Sequence, residues 1–564
     1  MPEDSQDAPG APGIPPRWTS SAKSGVGTAL NRASRVWFTL SYGILDEVYY
    51  GKVDRACTRD LGLIVTAADQ FFSEEKRQAN SVISYLAEGV PAYRVVNTCR
   101  EGRYQIEKRF IADPHRDVVL QHIRFSALKG ELSDYKLFAL LAPHIGNQGA
   151  DNTGWAGEYK GWPVLFAQRG NVALALACST PWLKMSAGYV GRSDGWQDLR
   201  QHHEMQWTYR RAASGNIALT GQIDLKACNG EFVLALGFGD TELEAGLAAC
   251  ASLNDGFEYA RVEYFRHWQE WQSELHPLEA QTSSERDLYR ISAAVIRIHE
   301  SKALMGGIIA SLSIPWGASK GDDDLGGYHL IWPRDLVESA SALLAAGAPG
   351  DLHRILGYLR VTQEADGHWP QNMWVDSRMY WKGVQMDETA LVLLLVDLSC
   401  RKGILEDRDL RALWPMIRKA AQFLVCNGPV SQEDRWEEDA GYTPFTLAAE
   451  IAGLLCAADL ADFMREKAIA QYLRETADAW NSSIERWIYI SDSPLARQHG
   501  VDGYYIRLRP PGADGAEMRP LVRIPNHADD FHIPADKLIS PDALALVRFG
   551  LRAADDPRII DTVK

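Results

Sequence analysis

Hydrophobic residues follow a strand-like pattern over the first part of the chain. From about Arg35 to Phe238, short β-branched or aromatic runs are separated by Gly, Asp and Asn. In the run from residue 103 to 111, Tyr104 and Ile106 alternate with polar residues, as on a half-buried strand. Many such strands without intervening helices predict a large antiparallel β-sandwich over residues 17–240. Residues 1–16, rich in Pro and Gly, are predicted to be a disordered lead-in.

The hydrophobic period then changes to that of helices. Residues 241–283 read as a helical linker, and from residue 284 apolar positions recur at helical spacing, as at Leu288, Ile291, Val295 and Ile298. The pattern predicts eight helices, at about 284–304, 335–347, 351–364, 386–401, 409–427, 444–462, 463–486 and 541–553. Loops dense in Gly, Trp, Asp and Pro separate them. Residues 284–564 are therefore predicted to form a barrel or toroid of paired helices with its site on the loop face.

Composition and charge limit the kinds of partner that the chain can bind. The chain of 564 residues is 46% hydrophobic and 24% charged, and its net charge of −15 argues against nucleic acid or an anionic membrane as a partner. Its 8 cysteines contain no C-x-x-C pair, which favours reduced, buried thiols. No secretory signal is visible at the N-terminus, and no apolar run reaches the roughly 18 residues of a membrane span. We expect a cytoplasmic protein.

The first chemically rich loop runs from Trp316 to the helix start at Trp332-Pro-Arg-Asp335. Asp335 could cap that helix, or Arg334 and Asp335 could clamp vicinal hydroxyls beside an aromatic ring. The run Asp322–Asp324 lacks the spaced ligands and later Glu of an EF-hand. We therefore expect no metal.

Two further loops combine aromatic rings with polar side chains. Residues 367–388 hold three Trp and a Tyr among amides and acids, a mixture that suits a ligand with an apolar face and a polar rim. Packing of this loop against the helices is the alternative. In Trp436-Glu437-Glu438, a ring precedes two carboxylates, as sugar hydrolysis requires. Alone, such acids before a helix are more typical of a solvated N-terminus.

The three motifs together resemble glycoside hydrolase family 15, the glucoamylase and glucodextranase family. Trp-x-Arg-Asp at 332–335, Trp-x-x-x-Gln-x-Asp at 381–387 and Trp-Glu-Glu at 436–438 carry the resemblance, with GGYHLIWPRD at 326–335 and SPDALALVRFGLRAADDPR at 540–558 resembling bacterial members. It covers nearly the whole chain from about Pro15. The fold it implies is an N-terminal antiparallel β-supersandwich followed by an (α/α)6 barrel, here with about eight of twelve helices.

The resemblance also implies an activity, that of a glucan 1,4-α-glucosidase releasing glucose from the non-reducing ends of α-glucans with inversion. Glu437 would be the general acid, and Arg334 and Asp335 would bind the terminal glucose. The remaining substrate-binding residues would be Trp332, Trp381, Gln385, Asp387, Trp436 and Glu438. No cofactor is implied. The oligosaccharide or polysaccharide linkage, α-1,4, α-1,6 or α,α-1,1, stays open.

Inversion needs a second carboxylate at roughly 6.5–9.5 Å from the acid. The family has this base in a late loop, and no Glu in a matching context follows Glu437. Glu517, Asp529 and Asp530 are poor substitutes. We therefore expect a C-terminally truncated chain that lacks its base and releases little or no glucose from maltotriose. A sugar phosphorylase of similar architecture and a non-catalytic carbohydrate-binding protein are the alternatives, although residues 428–443 offer few groups for a phosphate pocket.

Overall fold

A computed structural model describes residues 7–278, 288–314, 321–323, 327–512, 521–524 and 531–564. The chain divides into two compact units, Met1–Leu330 and Ile331–Lys564.

The first unit is built on two antiparallel sheets. In its described part, one sheet has eight strands: β1 Gly25–Thr28, β2 Val36–Ser41, β3 Ile44–Tyr50, β4 Thr58–Ala67, β5 Phe71–Glu74, β10 Tyr135–Pro143, β14 Trp182–Tyr189 and β16 Ile217–Ile223. The other has nine: β6 Ala79–Ala87, β7 Val90–Cys99, β8 Tyr104–Ala112, β9 Val118–Ala127, β11 Asn152–Tyr159, β12 Trp162–Arg169, β13 Val172–Cys178, β15 Arg211–Gly215 and β17 Glu231–Gly239. These sheets confirm the predicted antiparallel β-sandwich.

The strand orders are β1-β2-β3-β4-β10-β16-β14, with β5 on β4, and β15-β11-β12-β13-β17-β9-β8-β7-β6. Along β8, Tyr104 and Ile106 are fully buried and alternate with partly exposed neighbours, as predicted. At Gly154 in β11 a Cβ atom would come within 2.4 Å of the Ile217 side chain of the other sheet. The core of the first unit therefore lies between the two sheets.

Five helices accompany the sheets in the described part of this unit: α1 Glu75–Gln78, α2 Gly195–His202, α3 Glu242–Asp255, α4 Phe257–Glu274 and α5 Leu288–Ile298. The predicted linker is helical, but α3 packs on β13 and β17. Helix α5 packs against β1 and β7, and Arg290 Nη1 donates to the Gln272 carbonyl at 2.9 Å. Helix α5 thus belongs to the first unit by its contacts, whereas the sequence pattern groups it with the helical domain.

The lead-in prediction is wrong for residues 7–16. Ala8 N donates to the Arg211 carbonyl at 2.7 Å, Ile14 N donates to the Val190 carbonyl at 3.0 Å, and Asn216 N donates to the Pro12 carbonyl at 2.8 Å. Because these backbone groups are paired with the sheet region, the segment has a defined path despite its Pro and Gly content.

The second unit is helical. Its described helices are α6 Pro333–Ala345, α7 Pro349–Thr362, α8 Met386–Arg401, α9 Asp407–Asn427, α10 Pro444–Phe463, α11 Lys467–Asn481, α12 Ile484–Ile488, α13 Pro494–His499, α14 Leu544–Arg548 and α15 Pro557–Val563. Among the described residues of this unit, three short hairpins lie in the loops: β18 Asn372–Met373 with β19 Met379–Trp381, β20 Tyr489–Ser491 with β21 Gly503–Tyr505, and β22 Leu521–Ile524 with β23 Phe531–Pro534.

Helix α10 is the central helix of this unit. Among the described helices it alone has the length and apolar composition of a membrane span, yet 89% of that stretch is buried inside the protein. It packs against α8, α9 and α11. A helix that is apolar on all sides and covered by neighbouring helices is typical of a protein core.

Candidate functional site

The start of α6 carries the first group of predicted residues. Trp332 is the N-cap residue, Pro333 occupies the first helical position, and Arg334 and Asp335 follow in the first turn. Pro is favoured at that position because its fixed φ suits a helix start. Asp335 therefore lies inside the helix, and the alternative that it caps α6 is wrong.

Arg334 is held by residues at the start of α8. Its Nη1 donates to Gln385 Oε1 at 2.7 Å and to Asp387 Oδ2 at 2.6 Å, and its Nη2 lies 3.5 Å from Glu388 Oε1. Gln385, Asp387 and Glu388 are fully buried. The structure thus brings Gln385 and Asp387 to the site, as partners that fix the guanidinium group.

Two carboxyl groups near Arg334, those of Glu388 and Asp335, have raised pKa values. Burial raises the pKa of Glu388 well above its usual range, and the Arg334 charge opposes this only in part. Although Asp335 is exposed to solvent, the protein around it desolvates its carboxyl group and raises its pKa. The charge of Arg334 opposes this increase, and the charge of Glu437 adds to it. Arg334 itself stays charged, since Asp387 and Glu388 offset its desolvation and raise its pKa.

Glu437 lies in a turn organised by the buried carboxylate of Asp434. Asp434 Oδ1 accepts from Trp436 N at 3.1 Å and from Glu438 N at 3.0 Å, and Glu437 N donates to the Asp434 carbonyl at 2.9 Å. Glu437 has a φ of 62°, in the left-handed region that side-chain-bearing residues seldom adopt. Strain of this kind is found where the surrounding structure fixes a functional side chain.

A hydrogen bond joins this turn to the start of α6. Trp332 Nε1 donates to Glu437 Oε1 at 2.9 Å, and the Trp332 side chain is buried. In the described part of the chain, Glu437 Oε2 takes no part in a hydrogen bond. One carboxyl oxygen is thus fixed beside Arg334 and Asp335 while the other can meet a ligand.

Trp436 and Trp381 are placed as exposed rings. Trp436 is 54% exposed with the Arg435 guanidinium 4.9 Å from its ring centroid, whereas the indole that donates to the Glu437 carboxylate is that of Trp332. Trp381, 46% exposed, ends β19 and stacks on Tyr380 at 6.1 Å. Large exposed rings of this kind are typical of binding surfaces.

Glu438 is not free. Arg507 Nη2 contacts Glu438 Oε2 and also lies 2.8 Å from Asp434 Oδ2. Sequence reasoning missed Arg507, Asp434 and Glu388 as parts of the site. Nothing in the local sequence marks Arg507, because its partners lie about 70 residues away.

Several candidates lie outside the described residues: Trp316, Asp324, Glu517, Asp529 and Asp530. Asp322 is described, and its carboxylate accepts from the backbone N–H groups of Gly149 and Ala150 at 3.0 and 2.9 Å. Within the described ranges, no cluster of three or more His, Cys, Asp or Glu residues fits a metal ion.

Comparison with known proteins matches both parts of the chain. The model of glucodextranase domain N matches residues 8–273, and that of glycosyl hydrolases family 15 matches residues 284–564. A glucoamylase of a Clostridium species is 36% identical over 98% of this chain and 76% of its own. An uncharacterized glycosyl hydrolase of Methanocaldococcus jannaschii is 30% identical over 28% of this chain and 25% of its own. The crystal structure of a bacterial glucoamylase complexed with acarbose shares 35% identity and a TM-score of 0.93, over 99% of this chain and 80% of that one.

Proposed function

The chain belongs to glycosyl hydrolase family 15, and from that premise we propose that it is a glucan 1,4-α-glucosidase of the glucoamylase type with Glu437 as its general acid. Membership confirms the predicted fold class, a β-supersandwich followed by an (α/α)6 barrel. The alternatives of a sugar phosphorylase and of a non-catalytic binding protein find no support in these similarities.

One observation carries the assignment of the acid. The hydrogen bond from Trp332 to Glu437 connects the helix start bearing Arg334 and Asp335 with the strained turn bearing Glu437. A terminal glucose whose hydroxyls are held by Arg334 and Asp335 would therefore have its glycosidic oxygen near Glu437. Trp332 and Glu437 are 105 positions apart in the chain, so the fold brings them into contact.

The chemistry follows from these positions. Glu437 would donate a proton to the departing glycosidic oxygen, and the exposed rings of Trp381 and Trp436 would line the path of the glucan. Inversion needs another carboxylate to activate water on the opposite face of the sugar. In the described part of the chain, Asp387 and Glu388 contact Arg334 and Glu438 contacts Arg507, so these carboxylates serve the binding framework.

The role of Glu437 is tested with two substrates. We expect Glu437→Gln to lower glucose release from maltotriose about 10²–10⁴-fold, the usual contribution of a general acid. Hydrolysis of α-glucosyl fluoride should fall far less, because fluoride departs without needing a proton. Glu475→Gln, an exposed residue of α11, is the matched control. Equal losses on both substrates would contradict the assignment.

Binding of an inhibitor tests the role of Arg334 independently of turnover. We expect acarbose to bind the chain in calorimetry and Arg334→Ala to weaken that binding at least about tenfold, which is 1.4 kcal/mol. Unchanged affinity would remove Arg334 from the proposed site. Phosphate-dependent formation of glucose 1-phosphate would favour the phosphorylase instead.

A further inference from the structure

A cavity of about 480 Å³ lies on the eight-stranded sheet of the first unit, and it has no part in the site around Glu437. Its floor includes the small residues Gly62 of β4, Ala142 of β10 and Ala218 of β16. Beside them, α2 covers Ile64 and Phe138. The sheet surface is recessed where the side chains are small, and the resulting volume falls in the range of about 300–1,000 Å³ seen for small-molecule sites.

Trp196, in the first turn of α2, supplies an aromatic wall. Its Nε1 donates to Glu74 Oε2 at 3.0 Å, and Phe72 packs edge-on to its ring at 5.7 Å. The residue is half-buried. An indole ring fixed in this way offers an apolar face that costs little conformational entropy when a ligand packs on it.

Three basic residues of the cavity pair with acidic residues of its lining, whereas Arg17, also in the lining, is exposed and belongs to none of these pairs. Arg59 Nη2 lies 3.1 Å from Asp60 Oδ1, Lys76 Nζ lies 2.8 Å from Asp60 Oδ2, and Arg77 Nη1 lies 3.1 Å from Glu74 Oε2. An anion or a cation would have to compete with these ion pairs. A neutral ligand with many hydroxyl groups can use the same donors and acceptors without separating the charges.

Three buried polar atoms of the lining residues, Trp18 Nε1, Asn216 Oδ1 and Arg59 Nε, have no hydrogen-bond partner in the described part of the chain. Trp18 is 2% exposed and Asn216 is 3% exposed, and neither Trp18 Nε1 nor Asn216 Oδ1 makes a hydrogen bond. Buried polar groups are nearly always paired in proteins. Hydroxyl groups, which both donate and accept, can satisfy unpaired donors and acceptors of this kind.

We propose that this cavity binds a neutral oligosaccharide, one sugar face packing on Trp196 and the hydroxyls meeting the ion-paired side chains. The first unit would thereby bind a glucan chain at a site separate from the one around Glu437. The preference for a neutral saccharide comes from the cavity, whereas the choice of an α-glucan rests on the proposed function.

Hydrogen exchange of the whole chain, with and without maltoheptaose, tests the proposal. We expect slower exchange in segments 58–64 and 189–199, which line the cavity. Trp196→Ala removes the aromatic wall and Ala218→Leu fills the floor, so each should abolish this protection. Trp162→Ala, which removes an exposed ring at the first residue of β12 in the other sheet, is the matched control and should retain the protection. The midpoint of thermal unfolding shows whether each variant is folded.

Each outcome decides the matter. Protection confined to residues 332–335 and 434–438 would overturn the proposal while supporting the proposed function, and protection in neither region would also overturn it. Protection at the cavity that survives in a folded Trp196→Ala or Ala218→Leu variant would show that the sugar does not occupy it. If inorganic phosphate protects the cavity segments and maltoheptaose does not, the ligand is an anion and the proposal is wrong.

Discussion

Among single residues, Arg334 shows how the fold fixes one side chain of a sequence motif. Its Nη1 donates to both Gln385 and Asp387, and its Nη2 faces Glu388. A guanidinium group presents several donors in a fixed planar geometry, whereas an ammonium group is a compact charge on a flexible stem. The precise orientation of Arg334 therefore depends on its being arginine.

We predict that Arg334→Lys keeps the charge but loses this orientation. The affinity for acarbose should fall about tenfold or more, a change of 1.4 kcal/mol, with the fold retained. Arg360→Lys, an exposed position in α7, should leave the affinity unchanged. Calorimetry on the three proteins measures the difference. Wild-type affinity in Arg334→Lys would mean that only the charge matters.

The same residues show what sequence could and could not predict at this scale. The motifs gave Arg334, Gln385, Asp387 and Glu437 as candidates, and the structure places them at two helix starts and a turn. That Gln385 and Asp387 serve Arg334 depends on a contact across 51 and 53 positions. Such long-range pairing leaves no trace in local periodicity.

At the scale of elements, hydrophobic periodicity located the long helices well. The predicted helix at 386–401 coincides with α8, because its apolar residues are buried along the whole length. The predicted helix at 463–486 is divided into α11 and α12. The hairpins β18–β19, β20–β21 and β22–β23 escaped prediction, since strands of two to four residues carry no periodic signal.

The turn 434–439 carries Glu437, the proposed general acid, and we predict that Asp434→Ala disrupts this turn. Asp434 is 1% exposed, and its carboxylate binds two backbone N–H groups and Arg507. Removing one partner of a buried ion pair costs about 3–5 kcal/mol. Urea unfolding should show that loss, together with weaker acarbose binding.

Asp459→Ala is the control for this change. Asp459 pairs with Arg474 on the surface of α10, and an exposed ion pair contributes about 0–1 kcal/mol. Equal destabilisation by the two substitutions would contradict the role given to Asp434. If Asp434→Ala lowers stability but leaves acarbose binding unchanged, the turn contributes to folding and not to the binding site.

For the whole molecule, the change of period from strands to helices correctly predicted a sandwich followed by a helical domain. The described residues from 288 to 330 depart from that division, because α5 packs against β1 and β7. An amphipathic helix shows which face it buries, but the partner of that face is set by tertiary packing. Sequence pattern therefore assigned the element type and missed its neighbours.

The stability of the second unit is expected to depend on pH, and Glu450 of α10 contributes to this dependence. Glu450 is fully buried, and in the described part of the chain neither of its side-chain oxygens has a hydrogen-bond partner. Desolvation, reinforced by the charge of Asp387, raises its pKa well above the usual range. The folded state thus binds this proton more tightly than the unfolded state does. The stabilisation is fully present below the unfolded pKa of about 4.3 and is lost as pH rises through the folded pKa.

We predict that Glu450→Gln, which cannot titrate, flattens the pH dependence of stability. Between pH 5 and 8 the free energy of unfolding should fall less steeply than in the wild type, by up to about 1.4 kcal/mol per pH unit for one proton. Urea unfolding across that range measures both slopes, and Glu475→Gln, whose carboxyl group is exposed on α11, should match the wild type. Parallel curves for Glu450→Gln and the wild type would show that Glu450 has the same proton affinity in both states. A flatter curve for Glu450→Gln would instead mean that the buried Glu450 carboxyl group stays protonated in the folded protein at pH values at which it is ionised in the unfolded chain.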